Sequence, residues 1–307
     1  MSNAMPTAAE KLVGVDASVS EFNAVCIDGT GNTLAKRNKP IGQAADSTGE
    51  LIEFIQELKE TLGGFDRAGI AIPGLIELST RRVAVSTFIP SHSSTDISRE
   101  IEYATGVSAV LENDANAGAY GEYILGAGRG SNSMFYATFG TGVGGALIVD
   151  GKIWHGASGY AGEFGSVVVN SDGLRLEDVT SAAGLVGRTR SRLHQDSTTS
   201  LSRVEDTLTL DDIITAVRAE DDLAVMMMER TGTYIGVAIA NVINLLNVPT
   251  IVLGGHTMLA GDALLDSIVR TAREFSFRPA FESTRIVIGE LGDDAAAVGA
   301  ALLARSN

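Results

Sequence analysis

Residues 112–122, with the sequence ENDANAGAYGE, combine polar side chains with a run of small residues. Asn113 and Asp114 come directly after the short apolar run 108–111, and alanine and glycine dominate the positions that follow. A carboxylate at the carboxyl end of a strand lies where open α/β sheets bind ligands, so Asp114 is a candidate catalytic residue. Asp and Asn are also favoured helix N-caps, and the local pattern alone favours capping. In either case, the small residues would let another layer or a ligand approach closely.

Two glycine clusters could hold a ligand through the backbone. GTGVGG, at 140–145, joins two predicted strands, and its glycines would let N–H groups approach a phosphate; a tight structural hairpin is the competing interpretation. It is not a P-loop, because no Gly-Lys-Ser/Thr follows, and it is not a Rossmann fingerprint, because a strand follows it. Gly254-Gly255 follows the strand TIVL, where a plain strand-to-helix connection is favoured over a ligand contact in the absence of context.

Two isolated acids and four histidines complete the set of candidate residues. Glu163 lies among small residues in GASGYAGEFGS (156–166), and Glu177 lies in LRLEDVTS; each could bind a ligand or be a solvated surface residue. The histidines show no metal-ligand spacing, and we expect them at the surface or in packing roles: His92, His155, His194 and His256.

The spacing of apolar residues predicts a helix at 47–61, and further helices are predicted near 210–219, 223–246 and 258–274. Predicted strands and helices alternate in both halves of the chain, which indicates an α/β fold with mixed sheets. At an offset of 122 residues, VGVDASVSEFNAVCIDG overlays FYATFGTGVGGALIVDG, which predicts one equivalent hairpin in each half. A chance match is the alternative. The stretch 231–261 carries no Asp, Glu, Lys or Arg, but asparagines, a proline and glycines interrupt it. It therefore predicts a buried helix, a short strand and a Gly-Gly turn.

Composition narrows the classes of partner. The 307 residues carry a formal net charge of −15, which argues against binding to nucleic acid or to an anionic membrane surface. The single cysteine, Cys26, excludes an intrachain disulfide and a cysteine-based zinc cluster, and suits a reducing compartment. We therefore expect a cytoplasmic protein without nucleic-acid or membrane partners.

At these motifs the sequence resembles the ROK family of sugar kinases and sugar-responsive repressors, in the actin/hexokinase ATPase superfamily. The most specific matches are ENDANAGAYGE, GTGVGGALIVDGKI and GASGYAGEFG; AIPG and VLGG add weaker support. The resemblance covers nearly the whole chain from Val13. It implies an α/β fold of two actin-like (ribonuclease H-like) domains flanking a central cleft: residues 11–125, with the terminal helix 293–307 returning to them, and residues 126–292.

The resemblance also implies a role for each matching residue. Asp114 matches the catalytic base, and the sugar-hydroxyl ligands match Asn113, Glu163 and Glu177. Asp16 matches the acid that positions Mg²⁺, directly or through water. The second phosphate-binding turn matches Gly140, Thr141, Gly142 and Gly144, and the adenosine region matches Gly254 and Gly255.

This sequence departs from the family pattern at two places. The first phosphate turn of the family reads Asp, any residue, Gly-Gly-Thr, whereas here it is DASVS, with Ser18, Val19 and Ser20. A β-branched Val resists positive φ and keeps a phosphate away from the backbone, so we expect a poor nucleotide contact there. The family zinc site uses a His where Ser166 stands, together with cysteines that this chain lacks. We expect no structural zinc, and a shortened loop near 170–177 held by packing and hydrogen bonds.

The resemblance implies a carbohydrate kinase, a transferase that uses ATP and Mg²⁺ to phosphorylate a hydroxyl of a hexose or amino sugar, and we expect a homodimer. A non-catalytic sugar-binding sensor, related to the repressors of the family, is the alternative, because repressor-type relatives also tend to lose the first Gly-Gly turn. We do not expect a DNA-binding repressor, because the resemblance begins at Val13 and the net charge is negative.

Overall fold

The computed structural model describes residues 10–18, 20–42, 47–77, 79–86, 96–194 and 198–305, and these form an α/β protein with two compact units. The first unit takes in the described parts of 1–129, 151–161 and 293–307, and the second takes in those of 130–150 and 162–292. The segment 151–161 thus belongs to the first unit, although it lies within the predicted range 126–292.

The elements before residue 130 are seven strands and three helices among the described residues. The strands are β1 Lys11–Ala17, β2 Glu21–Asp28, β3 Thr33–Pro40, β4 Arg67–Ile72, β5 Leu75–Ile76, β6 Val83–Val85 and β7 Ser108–Asn113. The helices are α1 Ser47–Thr61, α2 Ile97–Thr105 and α3 Asp114–Ile124. The main sheet has the order β3-β2-β1-β4-β7, in which β1, β4 and β7 are parallel and β2 and β3 run antiparallel to their neighbours.

The described elements after residue 130 contain five more strands and seven more α-helices. The strands are β8 Met134–Phe139, β9 Val143–Val149, β10 Lys152–Ile153, β11 Thr250–Gly254 and β12 Arg285–Ile288. The helices are α4 Leu176–Thr180, α5 Ala182–Leu193, α6 Leu210–Arg218, α7 Asp222–Leu246, α8 Asp262–Phe275, α9 Arg278–Glu282 and α10 Ala295–Leu303. In the second unit the strands β9, β8, β11 and β12 are neighbours in that order.

The repeated hairpin predicted from the 122-residue offset is confirmed. In the first unit β1 pairs antiparallel with β2 and parallel with β4, and in the second unit β8 pairs antiparallel with β9 and parallel with β11. The two hairpins therefore hold the same position in the two sheets. Their connections differ in composition: DASVS closes the first and GTGVGG closes the second.

The sheet of the first unit is covered by helices on both faces. Alternate residues of β1 and β4, such as Val15 and Ile70, share a buried cluster with Leu51 and Ile55 of α1 and Ile101 of α2. The residues between them on each strand, which point to the opposite face, meet α10. Period-2 alternation along the strands thus assigns one face to α1 and α2 and the other to α10.

Glycines allow α10 to approach the sheet and α3 at backbone distance. A Cβ atom added to Gly14 of β1 would lie 1.9 Å from the Ala297 carbonyl oxygen, and one added to Gly69 of β4 would lie 1.8 Å from that of Ala300. On the α3 side, a Cβ at Gly299 would lie 1.7 Å from the carbonyl oxygen of Ala117. The small residues after Asp114 are therefore explained by packing: they are where α3 meets α10.

The core of the second unit is built around α7. Its buried glycines pack on α8: a Cβ at Gly232 would lie 2.7 Å from Ser267 Cβ, and one at Gly236 would lie 2.5 Å from Thr271 Cβ. The uncharged stretch 231–261 contains the second part of α7 and then β11, as its sequence predicts, and a short 3₁₀ turn follows at His256–Ala260. In the part of the chain that the structure describes, no helix has both the length and the apolar character needed to cross a membrane.

Two predicted features of the second half differ in the structure. The helix predicted at 258–274 is divided by Gly261, whose φ of +69° separates a 3₁₀ turn from α8. The helices α4 and α5 have no counterpart in the prediction. Two glycines, Gly184 and Gly187, lower the helix propensity of α5, so tertiary packing of residues such as Leu185 stabilises a segment with a weak local signal.

The packing of α10 predicts that Gly299→Ala destabilises the first unit. The added methyl group overlaps the Ala117 carbonyl, so α3 and α10 must move apart. We expect a loss of about 2 kcal/mol or more in the free energy of unfolding, measured by urea denaturation.

Gly187→Ala is the matched control. Gly187 also lies within a helix, but it is exposed and nothing lies within 4 Å of the position that its Cβ would take. There, alanine should stabilise the protein by roughly 0.5–1 kcal/mol. A Gly299→Ala variant as stable as the wild type would show that α10 is not held at backbone distance.

Candidate functional site

Asn113 and Asp114 form the junction between β7 and α3. Asn113 is the N-cap of α3: its Oδ1 accepts a hydrogen bond from the backbone N–H of Asn116 at 3.1 Å. Its Nδ2 donates to the Gly74 carbonyl at 3.1 Å and to Asp114 Oδ1 at 3.0 Å. Asp114 Oδ1 also accepts from the Ala115 N–H at 2.9 Å. The capping interpretation is confirmed for Asn113, and the same contacts fix the orientation of the Asp114 carboxylate at the strand end.

Glu112, the residue of β7 that precedes Asn113, is buried and contacts a histidine. It is only 7% exposed, and its Oε2 lies 2.9 Å from Nε2 of His155. Its Oε1 accepts hydrogen bonds from the Asn113 N–H at 2.9 Å and from Asn116 Nδ2 at 3.0 Å. His155 was predicted to be a surface or packing residue, and no role was predicted for Glu112. A charged residue at the end of an apolar strand is the only local signal that could have singled it out.

Asp16, near the end of β1, lies in a concentration of negative charge. Burial, together with the charges of Asp114, Glu21 and Asp293, raises the pKa of Asp16 to about 8. Asp16 is paired in register with Ala71 of β4. The first unit therefore places Asp16 and Asp114 within electrostatic reach of each other, and both favour a cationic partner.

The donor set around Asp16 fits Mg²⁺ only in part. Carboxylate oxygens are the hard ligands that Mg²⁺ prefers, and a bound cation would relieve the mutual repulsion of Asp16 and Asp114. Among the described residues, however, no group of three or more His, Cys, Asp or Glu side chains could hold a metal ion. Mg²⁺ commonly keeps several waters and binds through one or two carboxylates together with substrate phosphates, and this set matches that pattern.

In the second unit, the turn between β8 and β9 presents backbone donors. The Gly140 N–H donates to the Gly142 carbonyl at 3.0 Å, and the Gly140 carbonyl accepts from the Ala182 N–H of α5 at 2.8 Å. Within the described ranges, the N–H groups of Thr141 and Gly142 have no hydrogen-bond acceptor. Nothing lies within 4 Å of the position a Cβ would take at Gly140. Open space beside two unpaired N–H groups suits an anion.

Glu163 and Glu177 lie next to each other in the second unit. Partial burial, and then the charge of Glu177, raise the pKa of Glu163. The Glu163 residue as a whole remains exposed, so solvent screens the pair. Glu177, in the first turn of α4, accepts a hydrogen bond on Oε2 from the Val143 N–H at 2.9 Å. Glu177 therefore links the loop of Glu163 to the start of β9.

Gly254 and Gly255 have a structural explanation of their own. A Cβ at Gly254 would lie 2.3 Å from the Tyr136 hydroxyl oxygen, and one at Gly255 would lie 2.4 Å from the Phe139 carbonyl oxygen. Gly255 also has a φ of +87°. Packing against β8 alone is enough to require both glycines, so their types do not by themselves indicate a nucleotide.

The loop near 170–177, which we expected to be shortened, is closed by hydrogen bonds, as predicted. The Val169 N–H donates to the Leu174 carbonyl, and the Leu176 N–H donates to the Val167 carbonyl, both at 2.8 Å. Asn170 Oδ1 accepts from the Leu174 N–H at 2.9 Å. These three hydrogen bonds stabilise the segment 167–176 through contacts among its own residues.

The first predicted phosphate turn is described only in part. Ser18 Oγ donates to the Glu21 carbonyl at 2.8 Å, so this side chain closes its own turn. Ser20 is exposed. Val19, where the sequence departs most from the family pattern, lies outside the described residues.

The predicted site residues thus fall into two groups. The first unit holds Asp16, Asn113 and Asp114 and brings them together at the ends of β1 and β7. The second unit holds Glu163, Glu177 and the glycine turns. The turn at 140–144 contacts Glu177 through the hydrogen bond that the Val143 N–H donates. Residues that were not predicted, Glu112 and Asn116 among them, support the first group.

Comparison with known proteins gives a consistent picture. The model of the ROK family matches residues 12–307. A glucokinase from Halalkalibacterium halodurans is 29% identical, over 95% of this chain and 94% of that protein. The crystal structure of a ROK family glucokinase from Streptomyces griseus, in complex with glucose and AMPPNP, superposes with a TM-score of 0.86 at 27% identity and covers 97% of this chain and all of that one. The predicted α/β fold of actin-like type is confirmed by this similarity.

Repressors are also among the relatives. The xylose repressor of Bacillus spizizenii is 25% identical over 94% of this chain, which spans 75% of the repressor. The relatives of this chain therefore include both a glucokinase and a repressor.

The environment of Asp16 predicts an unusual pH dependence of stability. Its folded pKa of about 8 lies above the ordinary value of 3.8, so the folded protein retains a proton that the unfolded chain has lost. Stability should therefore fall as the pH rises from about 4 to about 8, with a slope of at most ~1.4 kcal/mol per pH unit. Asp16→Asn should be more stable than the wild type at pH 8, and the difference should shrink towards pH 4. Urea denaturation without nucleotide or Mg²⁺ measures both.

Asp28→Asn is a control of opposite sign in the same sheet. Hydrogen bonds from Thr30 and Asn32 hold the pKa of Asp28 well below its usual range. This variant should be less stable than the wild type at pH 7 and should approach it as the pH falls below 3.8. Parallel pH curves for wild type and Asp16→Asn would contradict the assignment of the proton to Asp16.

Proposed function

The chain belongs to the ROK family, and from that premise we propose that it is an ATP-dependent kinase that phosphorylates a hydroxyl of a hexose or amino sugar. The observation that carries the proposal is the placement of Asp114. Its carboxylate stands at the carboxyl end of β7 and is oriented by Asn113 Nδ2 and the Ala115 N–H, both on Oδ1. The structural relative from Streptomyces griseus, whose crystal contains glucose and AMPPNP, supports the choice of substrates.

Asp114 is proposed to act as the general base. Phosphoryl transfer requires mainly positioning and charge neutralisation, and a carboxylate held in one orientation can accept the proton of the attacking sugar hydroxyl. Both N–H groups of Asn113 Nδ2 already donate hydrogen bonds, one to the Gly74 carbonyl and one to Asp114 Oδ1. A sugar contact by Asn113 would therefore use Oδ1 as an acceptor, so that the sugar hydroxyl donates. Glu163 and Glu177 are proposed as further acceptors for sugar hydroxyls.

The nucleotide would be held by backbone donors of the second unit. The N–H groups of Thr141 and Gly142 suit phosphate oxygens, and Gly140 leaves the approach open. Gly144 is proposed to belong to the same phosphate-binding turn, and Gly254 and Gly255 are proposed to adjoin the adenosine. Mg²⁺, when bound, would neutralise phosphate charge, and Asp16 is proposed to position it. We propose no structural zinc, since Ser166 provides no imidazole and Cys26 is buried in the first unit.

A sugar sensor remains the second candidate, supported by one observation. Ser18, at the first predicted phosphate turn, donates its hydroxyl hydrogen to the Glu21 carbonyl, and the similarity to a xylose repressor supports a regulatory role. Such a protein would bind a sugar without transferring phosphate.

The proposed reaction also suggests the setting of the protein. Because it consumes ATP, we propose a cytoplasmic enzyme, which its single buried cysteine suits. We further propose a homodimer with no nucleic-acid or membrane partner, in keeping with the net charge of −15.

The proposal predicts sugar-dependent ADP release that requires Asp114. Asp114→Asn keeps the shape and the hydrogen bonds on Oδ1 but removes the base. The turnover number should fall at least about 100-fold, while sugar binding, measured by calorimetry, persists. A coupled ADP-release assay over hexoses and N-acyl amino sugars measures turnover and identifies the substrate.

Asp66→Asn is the matched control, because it makes the same charge change at the amino end of the parallel strands, away from Asp114. Asp66 is exposed and precedes β4, whereas Asp114 follows the carboxyl end of the neighbouring β7. This control should turn over like the wild type. Full activity in Asp114→Asn would refute the base assignment, and sugar binding without turnover for every sugar would favour the sensor.

A further inference from the structure

The polar cluster centred on Glu112 is not used by the proposed chemistry. Glu112 is 7% exposed, and its two carboxylate oxygens accept from three donors: the Asn113 N–H, Asn116 Nδ2 and His155 Nε2. A buried carboxylate is costly unless it is hydrogen-bonded on both oxygens, and here it is. The donors come from two separate stretches of chain, the first turn of α3 and the segment 151–161.

On the α3 side, Glu112 controls the residues next to the proposed base. It fixes the Asn113 backbone through Oε1 and imposes one orientation on the Asn116 amide. An ionised carboxylate only accepts hydrogen bonds, so the Asn116 NH₂ group must face it. Asn116 Oδ1 is then left without a partner among the described residues, which shows that the bond to Glu112 decides the orientation. The Asn116 N–H in turn donates to Asn113 Oδ1.

On the other side, His155 fixes both ends of a compact loop. Its ring binds Glu112, which makes Nε2 the protonated nitrogen, and its carbonyl oxygen accepts from the Ala161 N–H at 3.1 Å. Within the loop, Gly156 has a φ of +73°, and a Cβ there would lie 3.0 Å from Ala161 Cβ. The ring of His155 and its backbone carbonyl therefore tie the loop 155–161 to Glu112 within the first unit.

We propose that Glu112 and His155 are a pair of positioning residues for sugar recognition in the proposed kinase. Glu112 holds Asn113 and Asp114 in place, and His155 anchors Glu112 from the segment 151–161 of the same unit. Neither touches the reacting atoms. The inference rests on the proposed function. It follows from the steep dependence of phosphoryl transfer on placement, since a displacement of about 1 Å can cost on the order of 100-fold in rate.

Three variants test the acceptor, Glu112, and the donor, His155, one at a time. Glu112→Gln places an NH₂ group where a carboxylate accepted three bonds, so one donor loses its partner. His155→Ala removes the ring. His155→Gln returns an N–H donor close to the position of Nε2. We expect Glu112→Gln and His155→Ala to raise the sugar KM and lower kcat, each about 10-fold, and His155→Gln to recover most of the loss.

The KM for ATP distinguishes misplaced sugar-binding residues from a general loss of structure, which would weaken the binding of both substrates. It should stay within about 2-fold of wild type in all three variants, because the proposed phosphate donors lie in the second unit. The double variant Glu112→Gln/His155→Ala should be no worse than the poorer single variant, because both changes break one contact. His194→Gln is the matched control: His194 pairs with Glu205 at 3.3 Å on the exposed surface, and its loss should leave every constant unchanged.

The outcomes distinguish this inference from the proposed function. If the wild type turns over a sugar and the variants retain wild-type sugar KM and kcat, the positioning role is overturned while the kinase stands. If the wild type binds a sugar without turnover, calorimetry replaces the assay, and an increase of about 10-fold in the sugar Kd for Glu112→Gln and His155→Ala supports the pair. Equal losses for ATP and sugar, additive effects in the double variant, or a wild type that binds no sugar would overturn it.

Discussion

Backbone-distance packing of the C-terminal helix is the constraint on which the first unit depends. α10 contacts β1 and β4 through Gly14 and Gly69, and α3 through Gly299, at distances where no Cβ atom fits. Since α3 begins at Asp114, the position of α10 also determines where the first turn of α3 lies relative to the sheet. The proposed base is therefore placed by a helix almost 200 residues further along the chain, and the small residues that follow it serve this contact.

The two units differ in the kind of polar group that they offer to a ligand. The first unit concentrates carboxylates: Asp114 is close enough to raise the pKa of Asp16, and Glu112 is buried next to Asn113. Carboxylates accept hydrogen bonds from hydroxyl groups and attract cations, which suits the proposed sugar and Mg²⁺. The second unit offers the N–H groups of Thr141 and Gly142, which suit anionic oxygens. In a chain with a net charge of −15, backbone donors provide an attraction for phosphate that side-chain charges do not.

Local patterns predicted much of the fold and the identity of most candidate residues. The apolar spacing of 47–61 predicted α1 with its observed bounds, and the 122-residue offset predicted the two hairpins. Both interpretations of residues 113–114 proved compatible, because Asn113 caps α3 with one oxygen while its amide nitrogen orients Asp114. Helix α5 escaped prediction because its glycines weaken the local signal, and a 3₁₀ turn shortened the helix predicted at 258–274 because Gly261 has a positive φ.

What the sequence by itself determined is the α/β class, the family and the motifs that hold the candidate site residues, because these depend on residue types within short windows. Only the tertiary structure decided what individual residues in those motifs do. Gly140 borders open space whereas Gly254 is required by Tyr136, and both are simply glycines in the sequence. The contact of Glu112 with His155 spans 43 residues of chain. No local pattern encodes such a pair, because burial and hydrogen-bond partners arise only when distant segments pack together.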